Sequence, residues 1–272
     1  METFSDNGLI VSRKDNVTTL SSETDSSFTK KIKTKIYMPD EYTRAYNEVL
    51  SGEDVIVLGM NGFSTITPER CSEWGIQFGA YEAACEFLLS HAIEKLQHYF
   101  RGISIRLANG ASDIGVDLAI NNTAKKFGLP LLGHSCPKYL KYVREDIDIP
   151  IYVAQNQERY SNAFTDSLDI LITANGGEVT FKADIDAAFN KAKHVIPIDI
   201  LSSISTTGGP PAFDKNGKVL DAVKAFNERV HIIAMQINNA GADQWETIVD
   251  NCEKIITSIS RKKLSAKRAF RI

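Results

Sequence analysis

Little in this sequence points to a covalent or metal-built framework. Its four cysteines, Cys71, Cys85, Cys136 and Cys252, stand far apart with no CxxC pair. That spacing argues against a structural zinc site and fits a reducing compartment where free thiols pack as small hydrophobes. No apolar run approaches the roughly 18 residues that span a bilayer, and no basic segment followed by an apolar one opens the chain. A cytoplasmic protein with no membrane partner is expected. Charge of one sign is also scarce, since 31 basic residues face 34 acidic ones for a net charge of −3. Nothing global therefore draws the chain to nucleic acid. The basic clusters Lys30-Lys31, Lys125-Lys126 and the tail after Arg261 read as solvated faces. Neither GxxxxGK[ST] nor GxGxxG occurs, which disfavours a P-loop NTPase and a standard dinucleotide dehydrogenase. No metal and no resident cofactor is expected.

What is present is a core. The chain has 272 residues and is 43% hydrophobic, enough for one large domain. Residues 1–34 are rich in Ser, Thr, Asp and Asn and read as a polar N-terminal arm, with 35–272 as a single domain. Val55, Ile56, Val57 and Leu58 form a short continuous apolar run, the signature of a strand buried on both faces. Helical spacing of Cys85, Leu88, Leu89, Ile93 and Leu96 predicts a helix over 79–100. Strands over 103–107, 131–132, 151–154, 169–173 and 194–198 alternate with helices over 114–127, 159–167 and 185–192, and two more helices follow over 219–230 and 242–259. This alternation predicts an α/β fold with a doubly wound, mostly parallel sheet.

In such a sheet the loops leaving the strand C-termini collect along one edge, where ligands bind at the switch in strand order. Four of these loops carry glycine. They hold Gly59, Asn61 and Gly62; Asn109, Gly110, Ser112 and Asp113; Gly176, Gly177, Glu178 and Thr180; and Thr207, Gly208 and Gly209. Glycine lets backbone N–H groups approach a phosphate, and a following helix N-terminus adds donors and a favourable dipole. Any one loop taken alone reads more readily as a plain turn, and it is the four together on one edge that weaken that reading, without identifying a ligand. Ser112 or Asp113 also sits where a helix N-cap belongs. His134, Ser135 and Cys136 form no nucleophile pair, because neighbours in an extended segment face opposite ways and Pro137 follows. His91 and His98, both on a helix, are not expected to be ligands.

The segment Asp169 to Thr180 resembles the strand and PGGxGTxxE loop of the LOG enzymes, and Asn109 to Asp117 is similar to that family's small-residue loop opening a helix. On these two stretches the chain is similar to the SLOG superfamily of Rossmann-like nucleotide-binding proteins. That resemblance implies a homo-oligomer with a nucleotide-like small-molecule partner. In catalytic LOG enzymes a glutamate of the loop and an arginine of the preceding helix act on an N-glycosidic bond. Here the glutamate position is Ala183, the proline is Asn175 and the third glycine is Val179, while the threonine is kept as Thr180. Arg159 falls within one residue of the family's arginine. The resemblance with a lost glutamate implies a sensor-like protein for a nucleotide-derived signal, of the NAD, ADP-ribose or cyclic-nucleotide type. The other reading is an N-glycosidic hydrolase in which Glu178, Asp184 or Asp113 replaces the glutamate, with Arg159 on the phosphate. Glu178 is equally placed to meet a helix N-terminus, Asp184 to be solvated and Arg159 to be an exposed helix-start residue.

Overall fold

The computed structural model describes residues 1–201, except 100, 146, 177–183, 185, 186, 189, 190, 192, 193 and 199. The helices expected over 219–230 and 242–259 lie outside the described residues, as do Gly177, Glu178, Thr180, Ala183, Thr207, Gly208 and Gly209.

The core is a seven-stranded sheet of β5 (Ile36–Tyr37), β6 (Val55–Asn61), β7 (Ser104–Asn109), β8 (Leu131–Ser135), β9 (Ile151–Val153), β10 (Ile170–Thr173) and β11 (His194–Pro197). Its order is β11-β10-β6-β7-β8-β9-β5, and every neighbouring pair is parallel. All seven residues of β6 are buried, as expected for a central strand covered on both faces. Ile56, Leu58 and Met60 face α3 (Ala80–Tyr99) and α4 (Gly115–Phe127). Val55 and Val57 face α1 (Tyr42–Val49) and α6 (Gln157–Ser167). The fold is thus α/β, doubly wound and Rossmann-like.

Local chemistry sets the element ends. Asn156 caps α6 by accepting from the Arg159 N–H at 2.9 Å. At the far end of α4, Gly128 takes a left-handed φ of 62°, and its N–H reaches back to the carbonyls of the last turn. A short helix, α2 (Pro68–Trp74), is capped by Thr67, and α5 (Pro137–Leu140) follows β8 directly.

The polar arm expected over 1–34 is instead an antiparallel meander of β1 (Glu2–Asp6), β2 (Leu9–Lys14), β3 (Val17–Ser22) and β4 (Thr29–Ile32). Its two tight hairpins turn on Asn7-Gly8, at φ of 49° and 74°, and on Asp15-Asn16, at 50° and 65°. Two successive positive φ angles match the twist of paired strands. Period-two alternation puts Val11, Leu20 and Ile32 at 0% exposure in one cluster with Ile151 and Val153 of β9 and Leu140 of α5. A forked Arg13–Glu41 pair, at 2.7 and 3.0 Å, ties the meander to the segment after β5, and the same guanidinium donates to the Ile36 carbonyl. The arm is therefore part of the core. Leu20→Ala should lower the unfolding free energy by about 2–4 kcal/mol, read by urea denaturation with fluorescence and far-UV circular dichroism together. A loss below about 0.5 kcal/mol, the level of an exposed site, would return the segment to an appended arm.

Candidate functional site

The strand order reverses between β6 and β10, so the chain leaves these neighbours in opposite directions and opens a crevice at their C-terminal ends. Two glycines let the departing loops touch. A Cβ at Gly62 would stand 2.2 Å from the Tyr81 hydroxyl, and one at Gly176 would stand 3.1 Å from the Gly62 backbone. The Phe63 N–H donates to the Asn175 carbonyl at 2.9 Å, and the Tyr81 hydroxyl donates to the same carbonyl at 2.6 Å. Gly59, expected in this loop, lies inside β6, where its missing Cβ makes room for Leu168.

Beside this crossing is a cavity of about 380 Å³. Asn61, Gly62, Ser64 and Thr65 line it from the β6 loop, and Gly110, Ser112 and Ile114 from the β7 loop. Tyr139 and Tyr142, beyond β8, and Tyr160 and Phe164, on α6, form an aromatic side. The Tyr139 and Tyr160 rings meet edge to face at 5.5 Å, and Tyr160 stacks on Phe164 at 6.4 Å.

Two carboxylates, Asp117 and Asp184, reach this cavity. Asp117, at the third position of α4, reaches back over its own loop. Its oxygens accept from the Gly110 N–H at 2.9 Å, the Ser112 N–H at 3.1 Å and the Ser112 hydroxyl at 2.7 Å. Burial pushes its pKa up, while the Ser112 hydroxyl and these amides pull the other way. Neither Ser112 nor Asp113 caps α4 as expected: the N-cap is Ile114, with no side-chain bond. Ser112 is committed to Asp117, while Asp113 pairs with Arg144 at 2.6 Å and accepts from Asn121 at 3.3 Å. Asn109 is also engaged inside the loop, donating to Asn121 Oδ1 at 2.7 Å and accepting from the Ala111 N–H at 3.0 Å.

Asp184 is the contrast. It is only 5% exposed, which removes the solvated alternative. The Thr173 hydroxyl donates to Asn61 Oδ1, leaving Asn61 Nδ2 to donate to Asp184 Oδ2 at 3.4 Å. Among the described residues, Asp184 Oδ1 is buried with no hydrogen-bond partner. Burial raises its pKa from 3.8 to about 6, against the opposing pull of the nearby Ser161 side chain and of Asn61. Of the other catalytic candidates, Glu178 lies outside the described residues, Asp113 is paired with Arg144 and does not line the cavity, and Arg159 is exposed on the first turn of α6 and does not line it either. His134 lies in the core against the rings of Tyr152 and Phe164, its pKa pushed down to about 3 by burial.

Sequence reasoning did not single out Asp117 or the tyrosines. The signal for Asp117 was an acidic residue at the third helical position behind a glycine-bearing loop. The tyrosines come from separate elements and carry no local mark. Among the described residues, no helix is long and apolar enough to cross a membrane, and no group of His, Cys, Asp or Glu could hold a metal ion.

No family model and no curated protein matches the chain. Among solved structures, the molybdenum cofactor binding protein of the phototrophic bacterium Rippkaea orientalis is similar over 76% of this chain and 98% of its own, at 19% identity and a TM-score of 0.44. The molybdenum cofactor carrier protein of Chlamydomonas reinhardtii matches over 64% and 84%, at 17% identity and a TM-score of 0.39. The structural-genomics target TM1055 matches over 64% and 99%, at 16% identity and a TM-score of 0.36. Likenesses at this level assign neither a ligand nor a family to this chain.

The Asp184 pKa has a defined consequence for stability. A folded value above the unfolded one means that the folded chain holds the proton more tightly, so its stabilising effect is full below about pH 4 and lost as pH rises through about 6. Between pH 4.5 and 7.5 wild type should lose on the order of 2 kcal/mol relative to Asp184→Asn, measured by urea unfolding of both at each pH. A difference independent of pH would mean that Asp184 titrates as a solvated group.

Proposed function

We propose that this chain is a SLOG-type protein that binds a nucleotide-like small molecule in the cavity beside the β6–β10 crossing. The observation that carries this reading is the placement of a partly aromatic cavity, with a buried and incompletely bonded carboxyl, at the reversal of strand order in a doubly wound sheet. Its volume of about 380 Å³ is near the lower end of small-molecule sites and suits a mononucleotide better than a dinucleotide. The tyrosines offer faces to a planar base, and the hydroxyls of Ser64 and Thr65 offer hydrogen bonds to its sugar or phosphate.

The charge of the lining limits the ligand further. Among the described lining residues there are two carboxylates and no Lys, Arg or His. Two like unit charges about 6 Å apart repel by about 3 kcal/mol at an effective dielectric of about 20. A ligand with one phosphate or none is therefore favoured over a triphosphate. With the family's glutamate position occupied by Ala183, retention of an intact ligand is the primary reading, which makes the protein a binding or sensing one.

One observation favours the second reading, N-glycosidic hydrolysis. Asp184 is a buried carboxyl in the cavity with a pKa raised to about 6, which is how a general acid near neutral pH is prepared. Both readings are tested by native mass spectrometry of the protein with a panel of nucleosides, nucleoside monophosphates, NAD, ADP-ribose and cyclic nucleotides, following bound mass and free products. Retention of an intact ligand is expected. Ile114→Glu, which adds a third carboxyl at an exposed position on the cavity rim, should weaken binding of a monophosphate at least tenfold without lowering the melting temperature. Release of free base would establish the hydrolase reading, and no binding by any member would overturn the nucleotide site.

A further inference from the structure

Resting on the nucleotide-site reading, we infer that Asp184 is the residue that selects the ligand, by accepting a hydrogen bond from a donor group of the base or ribose on its Oδ1. A threonine hydroxyl can donate or accept, so it is the Asp184 carboxylate, an acceptor only when ionised, that sets the amide: the Asn61 NH₂ points to Asp184 and Asn61 Oδ1 takes the Thr173 hydroxyl. Asp184 Oδ2 is therefore held as an acceptor, and Oδ1 is the oxygen left over. Among the described residues it is buried without a partner, in a residue that lines the cavity.

A buried polar atom without a partner is costly and rare, and a donor supplied by a ligand removes that cost. The other cavity carboxylate cannot take this role, since Asp117 already accepts two amides and a hydroxyl from its own loop. The lining that includes Asp184 also carries an aromatic cluster, with Tyr160 seated between Tyr139 and Phe164. A planar heterocycle lying on that aromatic side presents its edge, and an edge carrying N–H groups suits an unpartnered carboxylate oxygen. A ribose hydroxyl supplies the same chemistry from the other half of a nucleoside.

The fixed amide of Asn61 makes one substitution unusually informative. In Asp184→Asn the side-chain oxygen must take the Oδ2 position to keep the Asn61 hydrogen bond, so the new NH₂ replaces Oδ1. An acceptor becomes a donor at one atom, with little change of shape. Asp184→Ala removes the acceptor and adds no donor.

The experiment is calorimetric titration of wild type, Asp184→Asn and Asp184→Ala with matched monophosphates. Guanosine, inosine and xanthosine monophosphates differ in a 2-amino donor, a hydrogen and a 2-oxo acceptor, adenosine monophosphate moves the amino group, and 2′- and 3′-deoxy forms remove ribose donors. A base donor on Asp184 predicts that wild type prefers an amino-bearing base over its oxo analogue by at least tenfold, and that Asp184→Asn reverses the order while Asp184→Ala loses affinity without reversal. A ribose donor predicts loss with a deoxy ligand and no reversal among bases, with both variants weakened at least tenfold for the ribonucleotides only. A merely structural role would lower all affinities together or change only the melting temperature. An unchanged selectivity profile in Asp184→Asn overturns the inference while leaving the binding site standing, whereas no binding by wild type overturns the proposed function and this inference with it.

Discussion

The site depends on two backbones meeting where the sheet ladder ends. Beyond Asn61 and Thr173 the strands β6 and β10 diverge, and their last N–H and carbonyl groups lose their regular partners while remaining buried. The Tyr81 hydroxyl, 1% exposed on α3, satisfies the Asn175 carbonyl and lies 3.0 Å from the Phe63 N–H. The glycines at 62 and 176 admit this contact because any Cβ would fill the space. The Asn175 side chain then accepts from the Leu201 N–H at 2.9 Å, extending the same knot to the segment after β11. Without the crossing there would be no fixed floor to the crevice, and neither Asn61 nor Asp184 would have a defined position.

That crossing separates two carboxylates that look alike in sequence. Asp117 and Asp184 are both buried, and burial is the largest influence on each. Asp117 spends its acceptors on its own loop, so its role is to shape the β7–α4 turn. Among the described residues Asp184 has one oxygen without a partner, the imbalance on which the proposed ligand contact rests. The difference lies in hydrogen-bond satisfaction, which depends on geometry between distant elements.

Legibility followed the same division. The apolar run at 55–58, the helical spacing of Cys85 to Leu96 and the Gly128 stop are local patterns, and the structure places β6, α3 and α4 there. The edge that gathers the strand-end loops also followed from alternation of elements alone. The meander was written in the sequence as Asn7-Gly8 and Asp15-Asn16 turns between alternating residues, but Ser and Thr on the outward face masked it as a polar arm. Composition misleads where only every second side chain is buried. The short α1, α2 and α5 escaped for a related reason, since four to eight residues give too few turns for a period to show. At the site, glycines were visible as loop residues, yet only the fold distinguishes Gly59, which accommodates Leu168, from Gly62, which permits the crossing.

The meander also supports the site from behind. Ala111, fully buried at a positive φ of 61° in the β7–α4 loop, packs in the same cluster as Val11, Leu20 and Leu140. Its neighbours Gly110 and Ser112 line the cavity. On the other side α5 packs against β1 and β2, and Tyr139 and Tyr142 of the aromatic side belong to α5 and the turn after it. Both the carboxylate-braced loop and the tyrosines thus rest on residues 2–32. Packed interiors transmit displacement because they are dense, so the N-terminal sheet holds the cavity walls at a fixed spacing as well as covering the outer strands.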